Sequence, residues 1–327
     1  MLVEPGARIG AVASVAVIGA GAVGSYYGAR LAQAGHDVRF LLRRDYDAVA
    51  EHGLRIESHH GDFALERPVI ARDPAAIGPV DWVLCGLKTT ALDEAAALIR
   101  PCLAPTTRVL AIMNGLGIEE RLAASLGTER VFGGLAFTCI NRGEPGVVHH
   151  IEYGQVGIAH VGDDPAELDR ALALWQDATV EVTRQPSLLR ARWEKLCWNV
   201  PFNGLTVAAG GVDTEAIVTD PALRAEARAL MEEVVAAGNA DLAAAGSPER
   251  IDGDAVIARM FTLTDAMGPY RPSTLIDYLE GRAIEVDAIF AEPVRRARDL
   301  GGATPRMEML AALLAGLDPG SGEGVRA

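Results

Sequence analysis

The chain has 327 residues, half of them apolar, and a formal net charge of -14 at pH 7. Single cores seldom grow past about 250–300 residues, so two domains are expected, and an acidic surface of this kind repels nucleic acid and anionic membrane while leaving room for anionic small molecules held by local positive groups. Cys85, Cys102, Cys139 and Cys197 form no CxxC pair, and no segment is cleanly apolar over about 18 residues, so a chain without metal site, disulfide framework or transmembrane helix, at home in a reducing cytoplasm, is expected.

Residues 1–13 read as a disordered leader, because the apolar run that follows ends in glycines rather than at a cleavage site. "SVAVIG" (14–19) reads as a buried parallel strand, followed by a helix from about Ala22 to Ala34 that Gly35 stops. "HDVRFLLR" is a second strand; "VDWVLCGLK" (80–88) and "TRVLAIMNG" (107–115) repeat the pattern, with helical stretches at 91–100 and 118–126. Such alternation predicts a doubly wound parallel sheet. Between about Val131 and Ala159, "VFGGLAFTCI", "GVVHHI" and "GQVGIA" read as three short Gly-bounded strands that extend it. After "GDDPAELDRALALWQDA" comes a last strand, "VEVTRQ". Beyond about Leu188 strand signals vanish, and Ala/Leu/Glu-rich helices fill 190–208, 214–219, 221–245, 253–266 and 284–300. The expected division is therefore an α/β domain over 14–187, an all-α domain over 188–317 and a flexible tail over 318–327.

Within the first βαβ unit, Gly19, Gly21 and Gly24 form GxGxxG, with Ala20, Ala22 and Val23 filling the turn. Placed after a strand and opening a helix, this spacing predicts a dinucleotide site. The first glycine permits the tight turn, the second lets the pyrophosphate approach, the third lets helix and strand pack, and unpaired N–H groups of the helix hold the anion. An acid about 20 residues on would suit the ribose hydroxyl of NAD, whereas arginine there suits the 2′-phosphate of NADP. Arg43 stands at that place, with Arg44 beside it and Asp45 next. NADP(H) is the expected cofactor, with Arg43 the first candidate for the phosphate and Arg44 the second.

Ligands of open α/β sheets lie outside the carboxyl ends of the strands. Lys88 and Asn114 each end a strand, so both are candidates to face the nucleotide, and Asn114 to reach substrate as well. In "WEKLCWNVPFNGLT" (193–206), Lys195, Asn199 and Asn203 recur at four-residue spacing on one helical face, drifting about 40° per step. A solvated stripe would have this pattern. So would a site in which a lysine donates a proton as hydride arrives and two amides orient substrate oxygens. Pro201 lacks an N–H and should kink the helix. Further on, Ser273 could bind a carboxylate or merely cap a helix, and Glu285 could pair with Lys195, accept from a substrate hydroxyl, or serve as a first-turn acid.

Taken in order, "VIGAGAVGSYYGARLAQAGHDV", "LLRR", "LKTT", "NGLG", "WEKLCWNVPFNGLT" and "PS…EVDAI" resemble the ketopantoate reductase (2-dehydropantoate 2-reductase) family, roughly from Val15 to Leu317. The resemblance implies a Rossmann-like N-terminal domain and an all-α C-terminal domain of the 6-phosphogluconate dehydrogenase C-terminal-like type. It implies NADPH-dependent reduction of 2-dehydropantoate to (R)-pantoate, a step of pantothenate biosynthesis. By match of motif, Lys195 takes the place of the catalytic lysine and Glu285 that of the essential acid. Asn199, Asn203 and Ser273 take substrate-binding places, and Lys88 and Asn114 cofactor-facing ones. The chain departs from the pattern in its longer leader, in Arg271 and Pro272 before the serine, and in Pro293 within the last long helix. A β-hydroxyacid dehydrogenase-like enzyme, a paralogous reductase of another 2-oxo acid and a non-catalytic NADPH sensor are the alternatives. A small anionic 2-oxo acid is the expected partner, and the reading leaves room for a homodimer.

Overall fold

Strands built from Val, Ile, Leu and Ala with little polar alternation need cover on both faces, which places them in the middle of a parallel sheet. In the computed structural model, which describes residues 12–321, β1 (Ser14–Ile18) lies between β2 (Asp37–Leu41) and β6 (Val80–Cys85), and β7 (Leu103–Ala111) and β8 (Val131–Arg142) follow in parallel. Alternation along β1 sends Val15 and Val17 into a core with Tyr26, Phe40 and Phe132, and Ala16 and Ile18 into the opposite one with Val83, Val109 and Leu122. The covering helices are α1 (Ala22–Gln33), α2 (Tyr46–His52), α3 (Pro74–Ile77), α4 (Leu92–Ile99), α5 (Ile118–Leu126) and α6 (Pro165–Ala173).

Three short strands escaped the sequence pattern: β3 (Leu54–Ser58), β4 (Phe63–Leu65) and β5 (Val69–Ala71). With β9 (Val147–His160) the order is β4-β3-β9-β8-β7-β6-β1-β2-β5, and β10 (Val182–Arg184) adds to β9. The three short strands expected between 131 and 159 are instead one long antiparallel hairpin, β8 with β9. Gly154, read as the start of a strand, lies inside it, while Gly146 lies at its tip. The register skips Gly154 and Ile151, so the breaks in pattern are bulges, and Tyr153 beside Gly154 takes φ 62.

That bulge is held by a polar chain. Arg30, 2% exposed on α1, donates from Nη2 to Ser58 Oγ (3.0 Å); Ser58 donates to His150 Nδ1 (2.9 Å); His150 Nε2 donates to the Tyr153 carbonyl (2.8 Å). Only neutral imidazole can accept from the serine. Burial first, and then the nearby His59, His60 and Arg30, hold His150 down to about 4. An unfolded histidine titrates near about 6.5, so the unfolded chain takes up a proton that the folded one refuses. The His150 contribution to stability is therefore complete above about pH 6.5 and is lost as pH falls towards about 4. Melting temperatures measured from pH 7.5 downwards should drop across that window, and less steeply in His150→Gln. Parallel profiles for the two proteins would contradict this.

The chain divides into two compact units, the second comprising Asn114–Gly117 and the residues from Leu189 onward. It contains α7 (Leu188–Trp198), α8 (Gly204–Ala208), α9 (Thr214–Thr219), α10 (Pro221–Ala244), α11 (Gly253–Met267), α12 (Ser273–Leu279), α13 (Glu292–Asp299) and α14 (Pro305–Leu317). Trp193, Leu196, Phe202, Met231, Phe261 and Phe290 lie in its core. The long α10 starts cleanly because Pro221 needs no partner for an N–H and the Asp220 carboxylate accepts from the Ala222 and Leu223 N–H groups. α12 and α14 fall outside the helical stretches that the sequence pattern predicts.

Two segments widen into π turns, Asn199–Asn203 and Asp287–Ala291. Pro201 lies in the first. The kink expected there takes this form: a proline in an α-helix removes one ladder hydrogen bond and collides with the carbonyl four residues back, and a wider turn relieves both. Pro293 does not break the last helical stretch either; it occupies the first turn of α13, directly after the second π turn. Residues 114–117, expected with the nucleotide domain, cluster with the helical unit because Leu116 donates its N–H to the Ala288 carbonyl at 2.8 Å. The first residues of the expected tail are held: the Asp318 carboxylate accepts from the Ile284 N–H at 2.9 Å, and Pro319–Ser321 form a 3₁₀ turn. The rest of the tail, 322–327, and leader residues 1–11 lie outside the described residues.

Candidate active site

The glycine turn shows three distinct physical demands. Gly19 has φ +87, and a Cβ there would stand 2.4 Å from Leu87 N. A Cβ at Gly24 would meet the Gly19 carbonyl oxygen at 2.3 Å. At Gly21 the nearest atom is Arg142 Nη2, 3.9 Å away, so the backbone stays open to an approaching group. No side chain caps α1 at Gly21, and its first N–H groups, those of Ala22 and Val23 among them, are aimed where an anion is favoured. These residues fit a nucleotide diphosphate. Gly86, which the sequence reading passed over, belongs to the same device: a Cβ there would lie 2.9 Å from Gly24 Cα. Gly24→Ala is expected to force α1 off β1, destabilising the fold by about 1–3 kcal/mol and weakening nucleotide binding with it. Melting and nucleotide titration check this; a variant that binds and melts like the parent would refute it.

Arg43 and Arg44 follow β2 and are exposed. Asp45 next to them is buried, with Arg44 Nε 3.9 Å from its Oδ1 and Arg142 Nη2 3.6 Å from its Oδ2. Arg142 also lies 3.4 Å from the Ala20 carbonyl. It was not foreseen as a site residue, since the strand that carries it was expected to end at Ile140. Lys88 is exposed after β6, where a 3₁₀ turn begins.

In the helical unit, Lys195 is half-buried on α7. Asn199 is 5% exposed and Asn203 2% exposed, which excludes a solvated stripe. The π turn closes its hydrogen bonds over five residues instead of four and winds more slowly than an α-helix, so the step from Asn199 to Asn203 does not overshoot a full turn as it would in an α-helix. Asn199 Nδ2 and Asn203 Oδ1 are buried with no hydrogen-bond partner in the protein. Leaving such groups unmade costs about 1–3 kcal/mol each, so the pair offers a donor and an acceptor that the protein itself does not use.

The other candidates sit on elements packed around this turn. It touches α12, which begins at Ser273, and the π turn Asp287–Ala291, which begins two residues after Glu285. Ser273 is exposed at the first helical position and Pro272 occupies the cap, so the serine is not an N-cap. Glu285 is 7% exposed, and its carbonyl accepts from the Ile289 N–H at 3.3 Å. Asn114, half-buried, precedes Gly115, where a Cβ would lie 2.5 Å from that of Ala288. Lys195, Asn199, Asn203, Ser273, Glu285 and Asn114 are thus carried by the helical unit, and the glycine turn, Arg43, Arg44 and Lys88 by the sheet unit. Among the described residues no group of His, Cys, Asp and Glu is arranged to hold a metal ion, and no helix is long and apolar enough to cross a membrane.

Residues 15–163 match the family described as ketopantoate reductase PanE/ApbA, and residues 187–318 match the C-terminal part of that family. The 2-dehydropantoate 2-reductase of Nostoc sp. is 38% identical over 309 residues, covering 93% of this chain and 94% of that one. The crystal structure of 2-dehydropantoate 2-reductase from Geobacter metallireducens superposes with a TM-score of 0.88 at 45% identity, covering 92% of this chain and 98% of that one. A D-mandelate dehydrogenase solved with NADH and anilino(oxo)acetate shares the fold, with a TM-score of 0.84 at 22% identity over 94% of this chain and 99% of that one.

Proposed function

Because the chain belongs to the ketopantoate reductase family, we propose that it reduces a small 2-oxo acid, 2-dehydropantoate foremost, to the hydroxy acid with NADPH. The observation that carries the reading is the buried, unpartnered pair Asn199 Nδ2 and Asn203 Oδ1, one and two turns beyond Lys195. When bound, the nicotinamide supplies a hydride to the carbonyl carbon. Lys195 stabilises the negative charge that develops on the carbonyl oxygen and gives it a proton. Asn199 donates to a substrate oxygen and Asn203 accepts from a substrate hydroxyl, while the Ser273 hydroxyl holds the carboxylate. Glu285 supports the lysine or accepts from substrate, and Asn114 orients substrate or the nucleotide ribose. Gly19 to Gly24 receive the diphosphate, Lys88 assists at the strand end, and Arg43, seconded by Arg44, takes the 2′-phosphate.

Steady-state oxidation of NADPH with a panel of 2-oxo acids tests the reading. The highest kcat/KM is expected with 2-dehydropantoate. Another 2-oxo acid turned over tenfold better would replace the substrate, and no turnover with any would leave a nucleotide-binding sensor. Arg43→Asp is expected to weaken NADPH at least tenfold and NADH far less, since the guanidinium fork is lost and a like charge faces the phosphate. Titration of both nucleotides checks it, and equal losses would argue against Arg43 as the phosphate ligand.

A further inference from the structure

We propose that Arg142 and Asp45 form a charge pair that sets the preference between phosphorylated and unphosphorylated nucleotide: Arg142 cancels a buried carboxylate that would otherwise repel the 2′-phosphate. The inference rests on the reading of the sheet unit as an NADPH site and assigns that site a residue from outside its βαβ motif.

Asp45 lies two residues past Arg43, which holds the place where an acid would serve the ribose hydroxyl of NAD. It precedes α2, yet its side chain makes no capping hydrogen bond. It is 9% exposed, and its Oδ1 has no hydrogen-bond partner. A buried carboxylate needs opposite charge close by. What it has is Arg44 at 3.9 Å and Arg142 at 3.6 Å. Of these, Arg44 is 68% exposed and Arg142 31%, so Arg142 is the better shielded from solvent.

The hairpin places Arg142 by packing its tip on α2. Arg55 donates its N–H to the Gly146 carbonyl at 2.9 Å, and a Cβ at Gly146 would lie 3.2 Å from the Gly53 carbonyl. From there the guanidinium spans two positions, 3.9 Å from where a Cβ on Gly21 would stand and 3.6 Å from Asp45. One is where the diphosphate approaches, and the other is where the 2′ substituent is read. With Arg142 in place, Arg44 and Arg142 oppose one carboxylate, and a 2′-phosphate finds net positive charge. Without it, Asp45 is a buried anion facing a dianion, whereas an unphosphorylated ribose can still donate its hydroxyl to the carboxylate.

The test is equilibrium binding of NADPH and NADH to the intact protein by calorimetry, with melting curves as control. Arg142→Gln is expected to raise the NADPH Kd at least tenfold and the NADH Kd less than threefold. Adding Asp45→Asn to that variant should return the NADPH Kd to within threefold of the parent, a rescue that a merely structural arginine would not allow. Asp45→Asn alone, which leaves Arg142 in place, should raise the NADPH-over-NADH affinity ratio at least threefold. Equal weakening of both nucleotides by Arg142→Gln would assign the arginine to the diphosphate and overturn the proposal, as would an unchanged ratio in Asp45→Asn or the absence of rescue. Equal affinity of the parent for the two nucleotides would remove the NADPH reading itself, and the charge pair with it.

Discussion

Replacing Lys195 by alanine is expected to lower kcat by about 10²–10⁴-fold while nucleotide affinity and melting temperature stay close to the parent values. The lysine belongs to the helical unit, whereas the groups assigned to the diphosphate and the 2′-phosphate belong to the sheet unit, so removing it leaves those contacts intact. It is half-buried rather than enclosed, so its loss opens no sealed cavity in the core. What disappears is the charge that meets the developing alkoxide and the proton that completes the alcohol. The measurement is kcat, KM and nucleotide Kd for parent and variant, with thermal melts. A variant with near-parent kcat would return Lys195 to the role of a surface cation on α7.

The second large effect has opposite signs in stability and activity. Asn203→Leu, and Asn199→Leu beside it, should raise the melting temperature by a few degrees and lower kcat/KM by about 10–10²-fold each. Leucine has nearly the shape of asparagine, and its apolar end suits a position 2% or 5% exposed in which an amide atom finds no partner. Removing that desolvated atom relieves about 1–3 kcal/mol. In the enzyme with substrate, the same substitution strands a substrate oxygen without its hydrogen bond, a loss of about 1.5–3 kcal/mol when the substrate group is charged. A core that is stabilised by removing polarity is the mark of residues kept for binding. If either variant melts lower than the parent with unchanged kcat/KM, that amide serves the fold and not the substrate.

Some features of the molecule are written locally in the chain. The GxGxxG turn reads from sequence because each glycine answers a short-range demand: a positive φ at Gly19, and at Gly24 a Cβ that would strike an oxygen five residues away. The alternation of apolar strands with helices predicts the parallel sheet, because a strand covered on both faces must be apolar throughout. The four-residue recurrence of Lys195, Asn199 and Asn203 predicts a shared face, because neighbours on a helix lie three or four residues apart.

Other features depend on partners distant in sequence. β3, β4 and β5 are short and only partly buried, so neither length nor periodicity marks them. Residues 131–160 contain glycines that look like turns, and only pairing across the whole hairpin makes them interior positions with bulges. Whether the Lys/Asn/Asn face met solvent or protein depended on α10, α12 and the second π turn packing around it. Arg142 reaches Ala20 across 122 residues because a long strand pair folds its tip onto α2. The sequence by itself determined the elements and the chemistry they carry, since propensity, spacing and turn sterics act within a few residues. Only the tertiary structure decided which charges meet and which amides are sealed from water, since burial and electrostatics depend on distance in space and not along the chain.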